Sequence, residues 1–281
     1  MPAPAPVPVP TLPRTACLPL NRCNLPAIIL GSLTFQRYPT PLKLDGVEEL
    51  HRDLFRRLDD TRESRRRAEI FQDYVTVYFR LEHLDEAGLS GQRRGRAKAN
   101  YIRAIRGWSF DSNSREGAVM KAWTESRFGL LPRYHGGPIR NLTDPGDPAS
   151  NAAYRRYQEM RASGIYGANA LESQLDLVYA YCQYEFARQH ARLTHLSLHR
   201  GVNRLEEYER LDDERNVLLL NNLNSFTGNP ERAGEFGDTI LTLQVPVAKI
   251  FFHSQLLPGV LQGEAEFLVV GGVYEVESAR G

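Results

Sequence analysis

Through the first two thirds of the chain, apolar residues recur at intervals of three and four, the spacing that places side chains on one face of an α-helix. Val47, Leu50, Leu54 and Leu58 follow this spacing, and a second apolar stripe runs from residue 70 to residue 81. The pattern therefore predicts that this part of the chain is helical.

Residue types that begin and end helices divide this region into segments. Asp60 and Glu63 have the separation of a capping box, and Ser114 and Gly129 are typical start and stop residues for a helix between them. Further helices are predicted from Ser150 to just before Gly164 and over residues 170–192. Loops rich in Pro and Gly, at residues 130–138 and 142–150, separate these segments.

From about residue 195 the apolar runs become short and rich in β-forming residues, and Gly, Pro and Asp separate them. Such runs are typical of strands joined by turns. We therefore predict an α+β fold in which a helical region (residues 27–194) and a β-rich core (195–281) form one compact unit. The first 26 residues, which begin MPAPAPVPVP, predict a disordered proline-rich tail.

Composition narrows the class of protein. The 281 residues carry 35 basic and 34 acidic side chains, a formal net charge of +1, and 42% of them are hydrophobic. This balance argues against nucleic-acid packaging and polybasic membrane binding, and the hydrophobic fraction excludes wholesale disorder. No apolar run approaches the roughly 18 residues of a membrane span, and the N-terminus lacks the basic start of a signal peptide. Three scattered cysteines fit a reducing compartment, so we expect a cytoplasmic protein.

One basic stretch stands out against the neutral background. Six basic residues and no acidic residue lie between Arg93 and Arg106, with aromatic residues Tyr101 and Trp108 in and beside the stretch. A nucleic-acid patch is one interpretation, but the net charge of the chain argues against it. A solvated helical face and a docking surface for an acidic partner are the other two.

The sequence contains no motif typical of a metal site or of the common nucleotide-binding folds. His190, His195 and His199 do not have a convincing ligand spacing, so we predict no metal site. Neither G-x-G-x-x-G nor G-x-x-x-x-G-K-[ST] occurs, so neither a Rossmann site nor a P-loop is indicated.

Two features of the β-rich region point to a phosphate-bearing ligand and a polar cleft. In LHRG, a strand-terminal Arg200 precedes Gly201, and a guanidinium beside a residue without a side chain suits a phosphate. A surface salt bridge is the alternative for this arginine. In NSFT, Ser225 and Thr227 fall on one face of a strand and Phe226 on the other, although hydroxyls on strands are common.

A third feature is a pair of carboxylates in QGEAEFLVV. Glu264 and Glu266 share one face of a predicted strand, and both faces become apolar downstream, as in a central strand. Carboxylates that enter a cleft from such a strand need partners or a substrate to offset burial. A solvated acidic edge is the alternative interpretation.

Taken in order, an arginine, a serine strand and E-x-E resemble the arginine–serine–glutamate class of mono-ADP-ribosyltransferases, and the E-x-E form resembles its arginine-modifying branch. The segments GAVMKAWTESRFGLLPRYHGGP, LDLVYAYCQYEFAR and the region from NPERAGEF to FLVVGG are similar to the members that modify dinitrogenase reductase in nitrogen-fixing bacteria. The resemblance implies an ADP-ribosyltransferase-type core and an enzyme that transfers ADP-ribose from NAD to an arginine, releases nicotinamide and inactivates nitrogenase.

The resemblance also implies roles for the site residues. Arg200 would bind the NAD phosphates, and the backbone of Gly201 would hold the nicotinamide amide. Ser225 would support the nicotinamide ribose and the catalytic glutamate. Glu266 would stabilise the cation at the anomeric carbon, and Glu264 would orient the incoming arginine.

Thr227 would be a neighbour of Ser225. The sequence here is serine-x-threonine followed by Gly228, which departs from the serine–threonine–serine form common in the class and puts the role of Thr227 in doubt. The family further implies a PII-type nitrogen-signalling protein as activator. A transferase acting on another protein and a non-enzymatic helical binding module are the competing functions.

Overall fold

The structure, a computed structural model, describes residues 9–82, 100–139, 146–165, 170–260 and 266–280. Helices occupy the N-terminal part and strands the C-terminal part, which confirms the predicted α+β class. The helices are α1 (Ala27–Leu30), α2 (Leu33–Arg37), α3 (Val47–Leu50), α4 (Arg52–Asp59), α5 (Ser64–Tyr78), α6 (Tyr101–Phe110), α7 (Arg115–Phe128), α8 (Pro148–Ile165), α9 (Leu171–Gln189) and α10 (Pro230–Gly234). The strands are β1 (His195–Val202), β2 (Glu209–Asp212), β3 (Val217–Thr227), β4 (Thr239–Pro246), β5 (Ile250–His253), β6 (Glu266–Glu275) and β7 (Glu277–Arg280).

The strands form one antiparallel sheet in the order β5-β6-β3-β1-β4-β7, and β2 pairs with the start of β3. Nearly every residue of β3 and β6 is buried, so both faces of the sheet are covered at its centre. Most buried apolar residues of the helices and the sheet belong to one continuous cluster, and a smaller cluster lies between α7 and α8. Within the described ranges, no helix has the length and apolar character needed to cross a membrane.

Helix α7 follows the prediction closely because its ends are set by local chemistry. The Ser114 hydroxyl accepts a hydrogen bond from the Gly117 amide at 3.1 Å, and Gly129 ends the helix with a left-handed φ of 70°. The predicted capping box at Asp60 and Glu63 is wrong. Asp60 closes the preceding helix α4, and α5 begins after Glu63 without a side-chain cap.

The chain from Leu12 onward packs against the folded unit, whereas the sequence predicted a disordered tail through residue 26. Leu12 and Ala16 are each 2% exposed. The Leu18 amide donates to the Gly129 carbonyl at 2.8 Å, and the Leu131 amide donates to the Ala16 carbonyl at 2.9 Å. The apolar residues among the prolines therefore have a core to bury against, which composition alone did not reveal.

A bulge in β3 connects the sheet to the helices. The register between β3 and β6 shifts between Leu220 and Leu223. Within the bulge, the Asn222 side chain donates to the carbonyls of Lys121, at 2.8 Å, and of Leu130, at 3.0 Å. The bulge therefore fixes the middle of α7 and the loop that follows this helix against the central strand.

Candidate active site

The three strands that carry the predicted site residues are neighbours in the sheet. Arg200 lies in β1, Ser225 in β3 and Glu266 at the start of β6, and the sheet places β3 between the other two. Arg200 lies inside its strand, which runs on to Val202, and not at the strand end as the sequence predicted. The structure thus brings together residues that are up to 66 positions apart in the sequence (266 minus 200).

The carboxylate of Glu266 is buried and held by hydroxyl groups. Glu266 is 8% exposed. Its Oε1 accepts a hydrogen bond from Ser225 Oγ at 2.7 Å, and its Oε2 accepts one from Ser109 Oγ at 2.6 Å. Hydrogen bonds from hydroxyls to a carboxylate are short and strong, and they offset the cost of burying the charge. The side chain therefore has a defined orientation at the edge of the cleft.

Trp108 determines which way the Ser225 hydroxyl points. The indole Nε1 of Trp108 donates to Ser225 Oγ at 2.8 Å. Because an indole nitrogen can only donate, the Ser225 oxygen accepts at this contact and its single proton is directed to Glu266. The three residues form a chain of hydrogen bonds with one polarity, from the indole to the carboxylate.

The Arg200 side chain forms hydrogen bonds both to β3, the strand that carries Ser225, and to Tyr208. Its Nη1 donates to the Ser225 carbonyl at 2.8 Å and its Nε donates to the Tyr208 hydroxyl at 3.2 Å. Within the ranges that the structure describes, Arg200 forms no ion pair with a carboxylate, so the salt-bridge alternative is not observed there. A guanidinium has five N–H donors, so this contact pattern leaves donors for an anionic ligand.

The absence of a side chain at Gly201 is used for packing. A Cβ at Gly201 would lie 2.0 Å from the Ala233 carbonyl oxygen, so only glycine allows α10 to approach β1 this closely. Gly201 also lines both lobes of the cleft described next. Its predicted contact with a ligand amide stays a prediction.

The cleft has two lobes of about 410 and 400 Å³, which share Trp108, Arg200 and Ser225 as walls. One lobe contains Glu266 and Thr227, and the other extends past Lys121, Arg133 and Tyr208. Clefts that take dinucleotide-sized or drug-sized ligands have volumes in this range. An extended ligand with a central anionic group could therefore span both lobes with Arg200 near its middle.

Lys121 is a cleft residue that the sequence analysis did not single out. It is 1% exposed, and its Nζ lies 2.9 Å from both the Ser112 and the Tyr134 carbonyl oxygens and 3.2 Å from His135 Nδ1. Burial is the main reason that the pKa of Lys121 falls to about 7; the charge of Asp111 opposes this shift, and the nearby Arg200 charge adds to it. The ammonium group joins two loops that border the cleft, so its function in the structure is to hold their backbones together.

Trp108 and Ser109 were also missed as site residues. Trp108 was noted only as an aromatic residue beside the basic stretch, and nothing in the sequence around Ser109 indicates a contact with a carboxylate 157 positions later. The C-terminal member of the basic stretch, Arg106, lies in α6, whereas Arg93, Arg94 and Arg96 lie outside the described residues.

Thr227, Glu264 and two histidines of β1 were also singled out in the sequence. Thr227 is the register partner of Glu266 and lines the same lobe, and its Oγ1 accepts a hydrogen bond from the Asn229 amide at 3.2 Å. Glu264 lies outside the described residues. The ring nitrogens of His195 and His199 contact the Gln36 carbonyl and the Thr242 hydroxyl.

The part of the chain that the structure describes contains no group of three or more His, Cys, Asp or Glu residues that could hold a metal ion.

Comparison with known proteins points to one family. A family model described as dinitrogenase reductase ADP-ribosyltransferase matches residues 20–278. The chain is 38% identical over 266 residues to the NAD(+)–dinitrogen-reductase ADP-D-ribosyltransferase of Rhodospirillum rubrum, and the match covers 92% of this chain and 94% of that protein. No solved structure is significantly similar to the chain.

Proposed function

The chain belongs to the dinitrogenase reductase ADP-ribosyltransferase family, and on that premise we propose that it transfers ADP-ribose from NAD to an arginine of dinitrogenase reductase. The transfer releases nicotinamide and inactivates nitrogenase. The observation that carries this proposal is the hydrogen bond between Ser225 and Glu266, on strands adjacent to the one that bears Arg200.

The donor set of the cleft fits NAD. Arg200 supplies guanidinium donors at the junction of the two lobes, where the pyrophosphate of an extended dinucleotide would lie. Gly201 exposes backbone in both lobes, which suits a contact with the nicotinamide amide. Ser225 and Thr227 line the lobe that holds Glu266, and we assign this lobe to the nicotinamide ribose.

Glu266 acts on the first half of the reaction. The bond between the ribose anomeric carbon and the nicotinamide nitrogen breaks, its electron pair leaves with nicotinamide, and the ribose acquires oxocarbenium character. A carboxylate held beside that carbon stabilises the positive charge, as in glycoside cleavage. Ser225 and Ser109 fix the orientation of this carboxylate before the substrate arrives.

Glu264 acts on the second half. A guanidinium has a pKa above about 12, so the target arginine arrives protonated and is a poor nucleophile. A second carboxylate binds it, aligns one nitrogen with the anomeric carbon and favours loss of a proton as the new C–N bond forms. One glutamate thus serves NAD cleavage, and both serve transfer to arginine.

Two substitutions test this division of labour. Glu266→Gln is expected to lower both NAD cleavage and transfer by about 10²- to 10³-fold, because the charge that stabilises the oxocarbenium ion is lost. Glu264→Gln is expected to abolish transfer while retaining NAD hydrolysis. The measurement is incorporation of label from NAD into purified dinitrogenase reductase, alongside nicotinamide release without an acceptor.

The outcomes of this experiment separate the candidate functions. Label on an arginine of dinitrogenase reductase supports the proposal, and label only on other proteins favours a transferase with a different target. No NAD turnover favours a non-enzymatic binding module. A Glu264→Gln protein that modified its target at the wild-type rate would contradict the assignment of that residue.

The proposal extends to location and regulation. A regulator of nitrogenase acts where nitrogenase is found, so we place this protein in the cytoplasm. By the same family resemblance, a PII-type nitrogen-signalling protein is its activator. Stimulation of label transfer by the purified PII-type protein tests this point.

A further inference from the structure

Helix α6 reaches three different parts of the candidate active site. Its side chains contact the serine strand β3, the glutamate at the start of β6, and the loop between β5 and β6. Arg106 and Ser109 are three residues apart and therefore lie on one face of the helix. The helix belongs to the first half of the chain, whereas all three contacted segments lie in the last 65 residues (217–281).

The first contact is with the loop that precedes the E-x-E segment. Arg106 Nε donates to the Val260 carbonyl at 2.8 Å, and Arg106 Nη2 donates to the Gly259 carbonyl at 2.7 Å. A planar guanidinium that binds two successive carbonyls fixes both the position and the orientation of that backbone. Val260 is itself only 3% exposed, so the loop is anchored at this point from both sides.

The second and third contacts are with Glu266 and Ser225, which are hydrogen-bonded to each other. Ser109 Oγ donates to Glu266 Oε2 at 2.6 Å, and Trp108 Nε1 donates to Ser225 Oγ at 2.8 Å. In the sequence, Glu264 follows Val260 by four residues and precedes Glu266 by two. Helix α6 therefore holds the chain on both sides of the segment that carries Glu264.

We propose that α6 positions the two halves of the active site separately, with Ser109 orienting Glu266 for NAD cleavage and Arg106 orienting the Gly259–Val260 loop for transfer to the target arginine. Neither residue is assigned contact with the reacting atoms, so both are positioning residues. The inference rests on the proposed function, because the two steps must exist before they can be positioned separately.

The position of Arg106 makes the separation testable. Its side chain is exposed and its contacts are with two backbone carbonyls, so its replacement removes no part of the apolar core. Arg103 is a matched control, since it is an exposed arginine one turn earlier on the same helix and lies 3.5 Å from Glu116 Oε1. Arg103→Gln and Arg106→Gln remove the same charge from the same helix and differ in the contact with the loop.

The experiment measures two rates for each protein: nicotinamide release from NAD without an acceptor, and transfer of ADP-ribose to purified dinitrogenase reductase. For Arg106→Gln we expect transfer to fall by about 10- to 100-fold while nicotinamide release stays within about threefold of wild type, because misplacing a reacting group by about an ångström costs this much. Arg103→Gln is expected to match wild type in both rates.

Ser109 provides the opposite test. For Ser109→Ala we expect both rates to fall by about tenfold, because both steps use Glu266, and we expect Ser109→Thr, which keeps a hydroxyl, to recover most of the loss. Thermal unfolding of each variant separates mispositioning from misfolding. If Arg106→Gln unfolds early, Arg106→Lys, which keeps the charge but not the two-pronged contact, supplies the same comparison.

Specific outcomes overturn the inference. Equal losses of both rates in Arg106→Gln, wild-type transfer in that variant, or wild-type nicotinamide release in Ser109→Ala would each contradict it while leaving the proposed function intact. A wild-type protein that neither cleaves NAD nor modifies dinitrogenase reductase contradicts the proposed function itself. The two failures are therefore distinguishable in one set of assays.

Discussion

Lys249 provides a prediction that depends only on the fold. Its side chain is fully buried, its Nζ donates to the Gly271 carbonyl at 2.8 Å, and the same nitrogen lies 4.6 Å from the centre of the Tyr274 ring and 5.6 Å from that of Phe35. Burial lowers the pKa of Lys249 from its ordinary 10.5 to about 7, because the ammonium loses its hydration. The perturbation we choose is Lys249→Met, which keeps the length and removes the titratable group.

The size and sign of the effect follow from proton linkage. Between pH 7.5 and 9 the unfolded chain carries a proton on Lys249, whereas the native chain is mostly without it. The stability of the wild-type protein therefore rises with pH by about 1.2 kcal/mol per pH unit through this group, and the rise levels off above pH 10.5, where neither state binds the proton. Lys249→Met lacks this contribution, so its stability should rise less steeply by the same amount.

The assay is urea unfolding of both proteins at several pH values between 7.5 and 9. Lys121 has a pKa lowered to about 7 as well, but it is present in both proteins and cancels in the difference. Lys43→Met is the control, because the Lys43 side chain is 64% exposed, and its slope should equal that of wild type. Parallel stability curves for wild type and Lys249→Met would refute the reasoning that burial keeps this lysine neutral.

Further predictions concern the site and the helical core. Trp108→Phe keeps an aromatic ring but removes the donor to Ser225, so we expect nicotinamide release to fall about tenfold at a temperature where the variant is still folded, because the smaller ring also leaves a cavity at this buried site; an unchanged rate would contradict the proposed hydrogen-bond chain. Glu185→Gln breaks a buried ion pair in which Arg67 binds both carboxylate oxygens, at 2.6 and 2.7 Å, and should lower the free energy of unfolding by about 3–5 kcal/mol. Glu69→Gln, in an exposed ion pair, should lower it by less than about 1 kcal/mol, and equal losses would show that burial does not decide the effect.

Local patterns explain which parts of the fold were predictable. The ends of α7 depend on a serine hydroxyl and a left-handed glycine, both of which act within a few residues, and the sequence shows both. The change from helical spacing to short apolar runs rich in β-forming residues also predicted where the sheet begins, near His195. The failed capping box shows the limit of such patterns, because Asp60 is used by the helix before it.

Contacts between distant segments explain what was not predictable. The resemblance to a known class predicted Arg200, Ser225 and Glu266 as site residues, and the sheet brings them together on neighbouring strands. The contacts of Trp108 and Ser109 with these residues depend on how α6 lies against the sheet, and no local pattern encodes that placement. The folded part of the N-terminal tail was missed for the same reason.

The helical region is part of the catalytic apparatus under the proposed function, even though the residues assigned to the chemistry all lie on the sheet. The polarity of the Ser225 hydroxyl is set by an indole N–H from α6, and the second oxygen of Glu266 is held by a hydroxyl from the same helix. Without that helix, Ser225 could donate its proton elsewhere and the buried carboxylate would lose the hydroxyl donor that Ser109 supplies. Any signal that shifts α6 relative to the sheet would therefore change the orientation of Glu266 directly, without acting on NAD or on the target arginine.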